Sequence, residues 1–136
     1  MIVSELAKRA GVTAEAVRYY TRSGLLKPKQ QSQNGYRYYS DHDLARLIFV
    51  RKARVLGFGL NEIAEILQMS EHGHSPCPRV RKILDERLKD TRQKLKELKS
   101  LQLSMERAAK KWAEMPNGTP NGDAVCNLIE AIGYPD

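Results

Sequence analysis

The chain has 136 residues, 41% hydrophobic and 29% charged, with a net charge of +7 at neutral pH. That length suits one compact domain or a small head with an extension. Two cysteines, Cys77 and Cys126, are too few for a disulfide framework, and no apolar run is long enough to cross a bilayer. The opening MIVSELAKRAG lacks the apolar core and small-residue cleavage site of a secretory signal. A cytoplasmic location with no membrane partner is therefore expected, with the cysteines as thiols or ligands. The positive charge is unevenly placed. Residues 1–58 carry eleven Lys/Arg against four acids, while residues 59–136 balance twelve against twelve. This asymmetry suits a nucleic-acid-binding head on a neutral body. The plainer reading is solubility.

In chain order, Ser4 is expected to cap a short first helix ending near Gly11, with Leu6, Ala7 and Ala10 on its apolar side. Thr13 caps a second helix, with Glu15 in its first turn, where a carboxylate favours the helix dipole. Ala16, Val17 and Tyr20 share one face of it. Two helices around a short Gly-containing turn make a helix-turn-helix pattern, although a plain helical hairpin has the same signature. A polar stretch from Lys27 to Gln33 leads to Asn34-Gly35, a strong hairpin-turn signal, and then to Tyr36-Arg37-Tyr38-Tyr39. Together they predict a two-stranded wing over about residues 27–39. Ser40 and Asp43 form a capping-box-like pair for a third helix, whose Leu44, Leu47, Ile48, Arg51, Val55 and Leu56 recur at helical spacing. Gly57-Phe58-Gly59 ends it, and Leu60, Ile63, Ile66 and Leu67 mark a fourth helix.

A breaker-rich linker, SEHGHSPCP, follows. After it a helix is expected to about Lys111, with Leu84, Leu88, Leu95, Leu98 and Met105 in a heptad rhythm whose remaining slots are Thr91 and Gln102. A stripe this long exceeds what so small a head can cover. The same helix of a second copy is the simplest partner, and folding back onto its own head is the alternative. The loop MPNGTPNGD precedes a last short helix capped by Asp123, with Val125, Leu128, Ile129 and Ile132 apolar. The fold class is thus mainly α: a winged helix-turn-helix head (1–69), a linker (70–78), a dimerisation helix (79–112), and a C-terminal effector loop and short helix (113–136).

Three groups of the head can meet double-stranded DNA together. Thr13, Arg18, Tyr19 and Arg22 lie on the second helix or its cap. Lys27, Tyr36, Arg37 and Tyr38 belong to the wing, and Arg51, Lys52 and Arg54 to the third helix. A helix fits the major groove, where base edges carry a distinguishable pattern, and Arg offers a planar fork for guanine or phosphate. A wing with one Arg suits backbone or minor-groove contact. Tyr20 and Tyr39 are assigned to core packing.

The runs ELAKRAGVTAEAVRYYTRSGLL, NGYRYY and DLARLIFVRKARVLGFGLNEIAEIL together resemble the MerR family of bacterial transcription regulators. The resemblance covers residues 1–68 and continues into the long helix. One departure is Thr21, where the family usually carries an acid after the paired aromatics. The resemblance implies a homodimer joined by an antiparallel coiled coil and bound to a palindromic operator in an over-long promoter spacer. It also implies activation by distorting that DNA so that RNA polymerase engages both promoter elements, a form of indirect readout.

The metal-sensing members of that family place one cysteine at the start of the long helix, as Cys77 stands, and others in the loop before the last helix and at that helix, where Cys126 stands. In an antiparallel dimer Cys77 of one chain would approach Cys126 of the other. His72 and His74 are near Cys77 in sequence and offer imidazoles. This set suggests a soft divalent ion such as zinc. No Cys or His lies between Pro78 and Val125, so the loop ligands are missing. A thiol-based redox or electrophile sensor, an organic effector near Trp112, and an architectural DNA-binding protein without small effector all remain open. Enzymatic function is set aside, since nothing orients a Cys/His pair and no phosphate loop appears.

Overall fold

The computed structural model describes residues 1–30 and 35–134. Two compact units divide the chain, Met1–Arg87 and Leu88–Asp136. The first contains helices α1 (Val3–Ala10) and α2 (Ala14–Arg22), strands β1 (Lys29–Gln30) and β2 (Arg37–Tyr38), helices α3 (Asp41–Val55) and α4 (Leu60–Glu71), and the first turns of α5 (Cys77–Trp112). The rest of α5 and the one-turn α6 (Asn127–Glu130) belong to the second.

Two of the expected caps form as read. The Thr13 hydroxyl accepts the Ala16 N–H at 3.1 Å. Ser40 accepts the Asp43 N–H while Asp43 receives the Ser40 N–H at 2.9 Å, closing a capping box. The first helix differs from expectation: its cap is Ile2, not Ser4. The reason is tertiary. Main-chain atoms of Met1 exchange two hydrogen bonds with Tyr39, at 2.6 and 2.8 Å, and deliver the chain into the helix two residues early. Gly11 closes α1 at φ 71°. A Cβ there would stand 2.7 Å from an Arg51 guanidinium nitrogen, so both backbone and space call for glycine.

The wing is a single antiparallel pair, Lys29 opposite Tyr38 and Gln30 opposite Arg37. A two-residue turn at Asn34-Gly35 would instead set residue 31 opposite Tyr38. Asn34 of the expected turn lies outside the described residues. Gly35 has φ 73°, as a turn glycine does.

The head has two adjoining cores. Leu6, Val17, Leu26, Tyr39 and Leu47 pack with Ala7 and Ala10 in one; Leu25, Val50, Phe58, Ile63, Ile66 and Ile83 form most of the other, and Tyr20 packs on both. Fully burying each such aliphatic is worth about 1.5–3 kcal/mol relative to exposure. Helix α3 runs between the cores and buries Leu47, Val50 and Ala53. Its buried stripe is rotated from the expected one: Ile48, Phe49, Val55 and Leu56 face outward, Val55 at 82% exposure. Ion pairs hold the margins. Arg46 reaches the Glu71 carboxylate and also the Leu25 carbonyl, and Arg79 pairs with Glu65 at 3.1 Å. Glu62 accepts the Gly59 N–H at 2.8 Å and pairs with Arg87; these donors hold its carboxyl below the usual range against the opposing effect of burial. Arg46 lowers Glu71 in the same way.

Only residues 72–76 separate α4 from α5, a shorter break than the breaker-rich stretch suggests. Pro78 fits the first turn of α5, where a missing N–H costs nothing. At the other end Asp123 does not cap the last helix. It sits in a turn closed by Asn121 and Ala124, and Cys126 is the cap residue. The Glu130 carboxylate reaches back to the Val125 and Cys126 N–H groups at 3.0–3.2 Å, a role a sequence-local reading assigned to the preceding acid.

Candidate nucleic-acid interface

Helix α2 presents Arg18, Tyr19 and Arg22, all exposed. Its opposite side is anchored by Val17 at 0% exposure. Arg18 lies 3.8 Å from Glu15, a loose surface pair that leaves the guanidinium available. The paired tyrosines divide their work. Tyr20 is half-buried against both cores, and the Tyr19 ring, 46% exposed, stands edge-on to it at 5.6 Å. Tyr19 is thus a braced aromatic at the surface.

The wing meets this helix. Arg18 lines a recess of about 450 Å³ with Tyr36 and Arg37, together with Ile2, Val3, Ser4 and Gly35. Tyr36 is 63% exposed. Two guanidiniums and an exposed phenol ring around one hollow have the chemistry to meet a sugar-phosphate backbone. Tyr38 is half-buried and Lys27 exposed, the latter with its N–H 3.4 Å from Asp43.

Two other expected contacts have duties the sequence did not show. Arg51 donates to the Ala10 carbonyl at 3.0 Å, capping the C-terminus of α1, and Arg54 donates to the Phe58 carbonyl at 3.1 Å. The Thr13 hydroxyl is likewise engaged at its cap. Ile2, Val3 and Ser4 join the recess only through the tertiary fold, which brings the first residues to the wing.

Of the four proposed metal donors, His72, His74 and Cys77 lie in the first unit and Cys126 in the second. Cys77 is exposed at the start of α5 and Cys126 is half-buried. His72 ends α4 with Nδ1 2.7 Å from the Gln68 carbonyl, and His74 is exposed. Among the described residues no group of three or more Cys, His, Asp or Glu side chains is placed to hold an ion.

The heptad residues Leu84, Leu88, Leu95, Leu98 and Met105 are exposed, as are Leu101 and Leu103. Trp112 both packs and lines a hollow. Its Nε1–H donates to the Leu128 carbonyl at 2.9 Å, and its ring borders an open recess with Met105, Ile129 and Ile132. The loop before α6 is fastened by Asn127, which accepts the Gly118 N–H at 3.0 Å and donates to the Pro116 carbonyl at 3.1 Å. Lys111 adds a bond to the Ala131 carbonyl at 3.2 Å.

Residues 1–70 match the family model described as MerR HTH family regulatory protein, and residues 44–108 match the one described as MerR, DNA binding. The chain belongs to the MerR family. It is a DNA-binding transcription regulator of mainly helical, winged helix-turn-helix fold, in a family of regulators and not of enzymes. It is 34% identical over 131 residues to the transcriptional regulator ZntR of Escherichia coli K12, covering 96% of this chain and 90% of that one. The mercuric resistance operon regulatory protein of Shigella flexneri is 37% identical over 98 residues, 72% of this chain and 67% of that protein. Among solved structures, the transcription regulator PbrR691 of Ralstonia metallidurans CH34, crystallised with lead(II), superposes with a TM-score of 0.75 at 26% identity, covering 96% and 98% of the two chains. Among the described residues, no helix is long and apolar enough to cross a membrane.

Proposed function

We propose that the chain works as a cytoplasmic homodimer that binds a palindromic promoter operator and activates transcription by distorting the DNA for RNA polymerase, under control of a soft metal ion such as zinc. The observation that carries the DNA half is the recess joining Arg18 of α2 to Tyr36 and Arg37 of the wing. Tyr19, Arg22, Lys27 and Tyr38 extend this surface, while Thr13, Arg51 and Arg54 support it through the backbone they hold. The working division is a head (1–69), a linker (70–78), a dimerisation helix (79–112) and an effector segment (113–136). The exposed row Leu84, Leu88, Leu95, Leu98 and Met105 supports pairing of α5 with a second copy.

The donor set of one chain does not by itself fit a three- or four-ligand ion. Two thiols remain, and the reading is that Cys77 of one protomer and Cys126 of its partner meet at an ion, with His72 and His74 as additional donors. When bound, the ion supplies differential affinity for one of two dimer states. Titration of zinc into thiol-reduced protein, with DNA binding and promoter open-complex formation followed in parallel, tests this. Cys77→Ser and Cys126→Ser are each expected to abolish the metal response and keep operator binding. A full metal response in both variants refutes it. The exposed Cys77 thiol and the missing three-donor group favour a second reading, a regulator switched by oxidation or alkylation of thiols. That reading predicts a response to peroxide or electrophile in metal-free protein.

A further inference from the structure

The surface reading of α2 and the wing raises a question of geometry. Two short elements from different parts of the chain present Arg18 and Arg37, and a strand pair two residues long fixes nothing by itself. Something else must set their separation.

Among the described residues a side-chain link joins them. The Thr21 hydroxyl, in α2, lies 2.8 Å from the Val17 carbonyl and 2.7 Å from the Tyr39 hydroxyl. Thr21 has one proton and gives it to Val17, a backbone acceptor that can donate nothing in return. The Tyr39 hydroxyl is therefore the donor to Thr21. Tyr39 is 3% exposed and sits directly after β2. Its main chain is held from the other side by two hydrogen bonds to Met1, next to the recess residues Ile2 and Val3. Thr21 is one helical turn after Arg18, and Tyr39 is two residues after Arg37.

We propose that the Thr21–Tyr39 hydrogen bond is the positioning device that fixes the spacing between the recognition helix and the wing, and so sets sequence discrimination. The proposal rests on the DNA placement of Arg18 and Arg37 given above. Neither residue touches DNA. Tyr39 acts through Arg37, and Thr21 through Arg18. The link lies within the head, beside the recess.

The partners are unequal under mutation, and this makes the test clean. Tyr39→Phe removes the donor and leaves Thr21 bonded to Val17, so no buried polar group is orphaned. Thr21→Val strands the buried Tyr39 hydroxyl and is expected to cost stability as well. Thr21→Ser restores the acceptor. The probes are a duplex selected by the full-length wild-type protein from a random-sequence library, and poly(dI-dC) as non-specific duplex.

Tyr39→Phe is expected to melt slightly below wild type and well above Thr21→Val, to bind poly(dI-dC) as wild type, and to lose roughly three- to tenfold in affinity for the selected duplex. Hydroxyl-radical protection under the wing is expected to fade while protection under α2 stays. The double variant Thr21→Val/Tyr39→Phe is expected to regain the stability lost in Thr21→Val but not the discrimination, and Thr21→Ser to keep both. A merely structural bond would move stability and both duplex affinities together. The proposal is overturned if Tyr39→Phe keeps full discrimination, or if the double variant recovers discrimination along with stability. A wild-type protein that selects no duplex at all overturns the DNA placement itself, and this proposal with it.

Discussion

Arg51 illustrates how a basic residue on a DNA-binding head divides between fold and ligand. Its guanidinium donates to the Ala10 carbonyl at 3.0 Å, and Gly11 leaves the space that lets it approach. Replacing Arg51 by Ala removes one hydrogen bond at the end of α1, about 1 kcal/mol for a partly exposed site. Replacing Gly11 by Ala forces a side chain into the left-handed region at φ 71°, about 1–2 kcal/mol. It also brings a Cβ within 2.7 Å of the guanidinium, so Arg51 must withdraw and the same hydrogen bond is lost again. Urea denaturation of the two single variants and the double variant measures the coupling. The double variant is expected to be less destabilised than the sum by about 1 kcal/mol, because the bond can be lost only once. Operator affinity of Arg51→Ala is expected to change little and its salt slope to stay at the wild-type value. Additive destabilisation, or a salt slope reduced by about one in Arg51→Ala, refutes the structural role and returns this arginine to the phosphate-contact class.

Arg18→Ala is expected to cost roughly 1–3 kcal/mol on the selected duplex and to relax its preference at one position, read by competition with single-base variants. Equal weakening on every sequence would make Arg18 a backbone contact. Substituting Leu88 and Leu95 together by Gln is expected to give monomers in sedimentation velocity, and persisting dimers would show that another face pairs the subunits. Glu62 carries a depressed carboxyl, so its stabilisation is complete above the ordinary carboxylate value and is lost as pH falls through the lower folded value. The stability gap between wild type and Glu62→Gln should therefore be constant near neutrality and close in acid; a gap unchanged down to strongly acidic pH would contradict the Gly59 and Arg87 contacts.

Features that depend on neighbours in sequence were legible before the fold was known. Thr13 and Ser40 cap where local hydrogen bonding dictates, and the long periodic helix appears with nearly the expected ends. Features set by distant partners were not. Ile2 displaces Ser4 as the first cap because Tyr39 holds Met1, and Glu130 displaces Asp123 because it folds back from the following turn. Helical spacing reports that α3 is amphipathic but cannot say whether an apolar residue meets its own core. Leu47 does so, while Val55 and Leu56 look outward. For the site, composition and spacing named Arg18, Tyr19 and Arg37 correctly as surface groups. They could not show that Arg51 and Arg54 are tied to carbonyls.

The fastening of the last loop has a thermodynamic corollary. Asn127 joins the strand of chain at Pro116 to Gly118, and an added methyl at Gly118 would collide with its amide at 2.5 Å. These contacts fasten the loop to the last helix, so a ligand bound there meets a segment already held by two hydrogen bonds. On the proposed reading an effector there acts by preferring one dimer arrangement over another, and an agent that fits both equally shifts nothing.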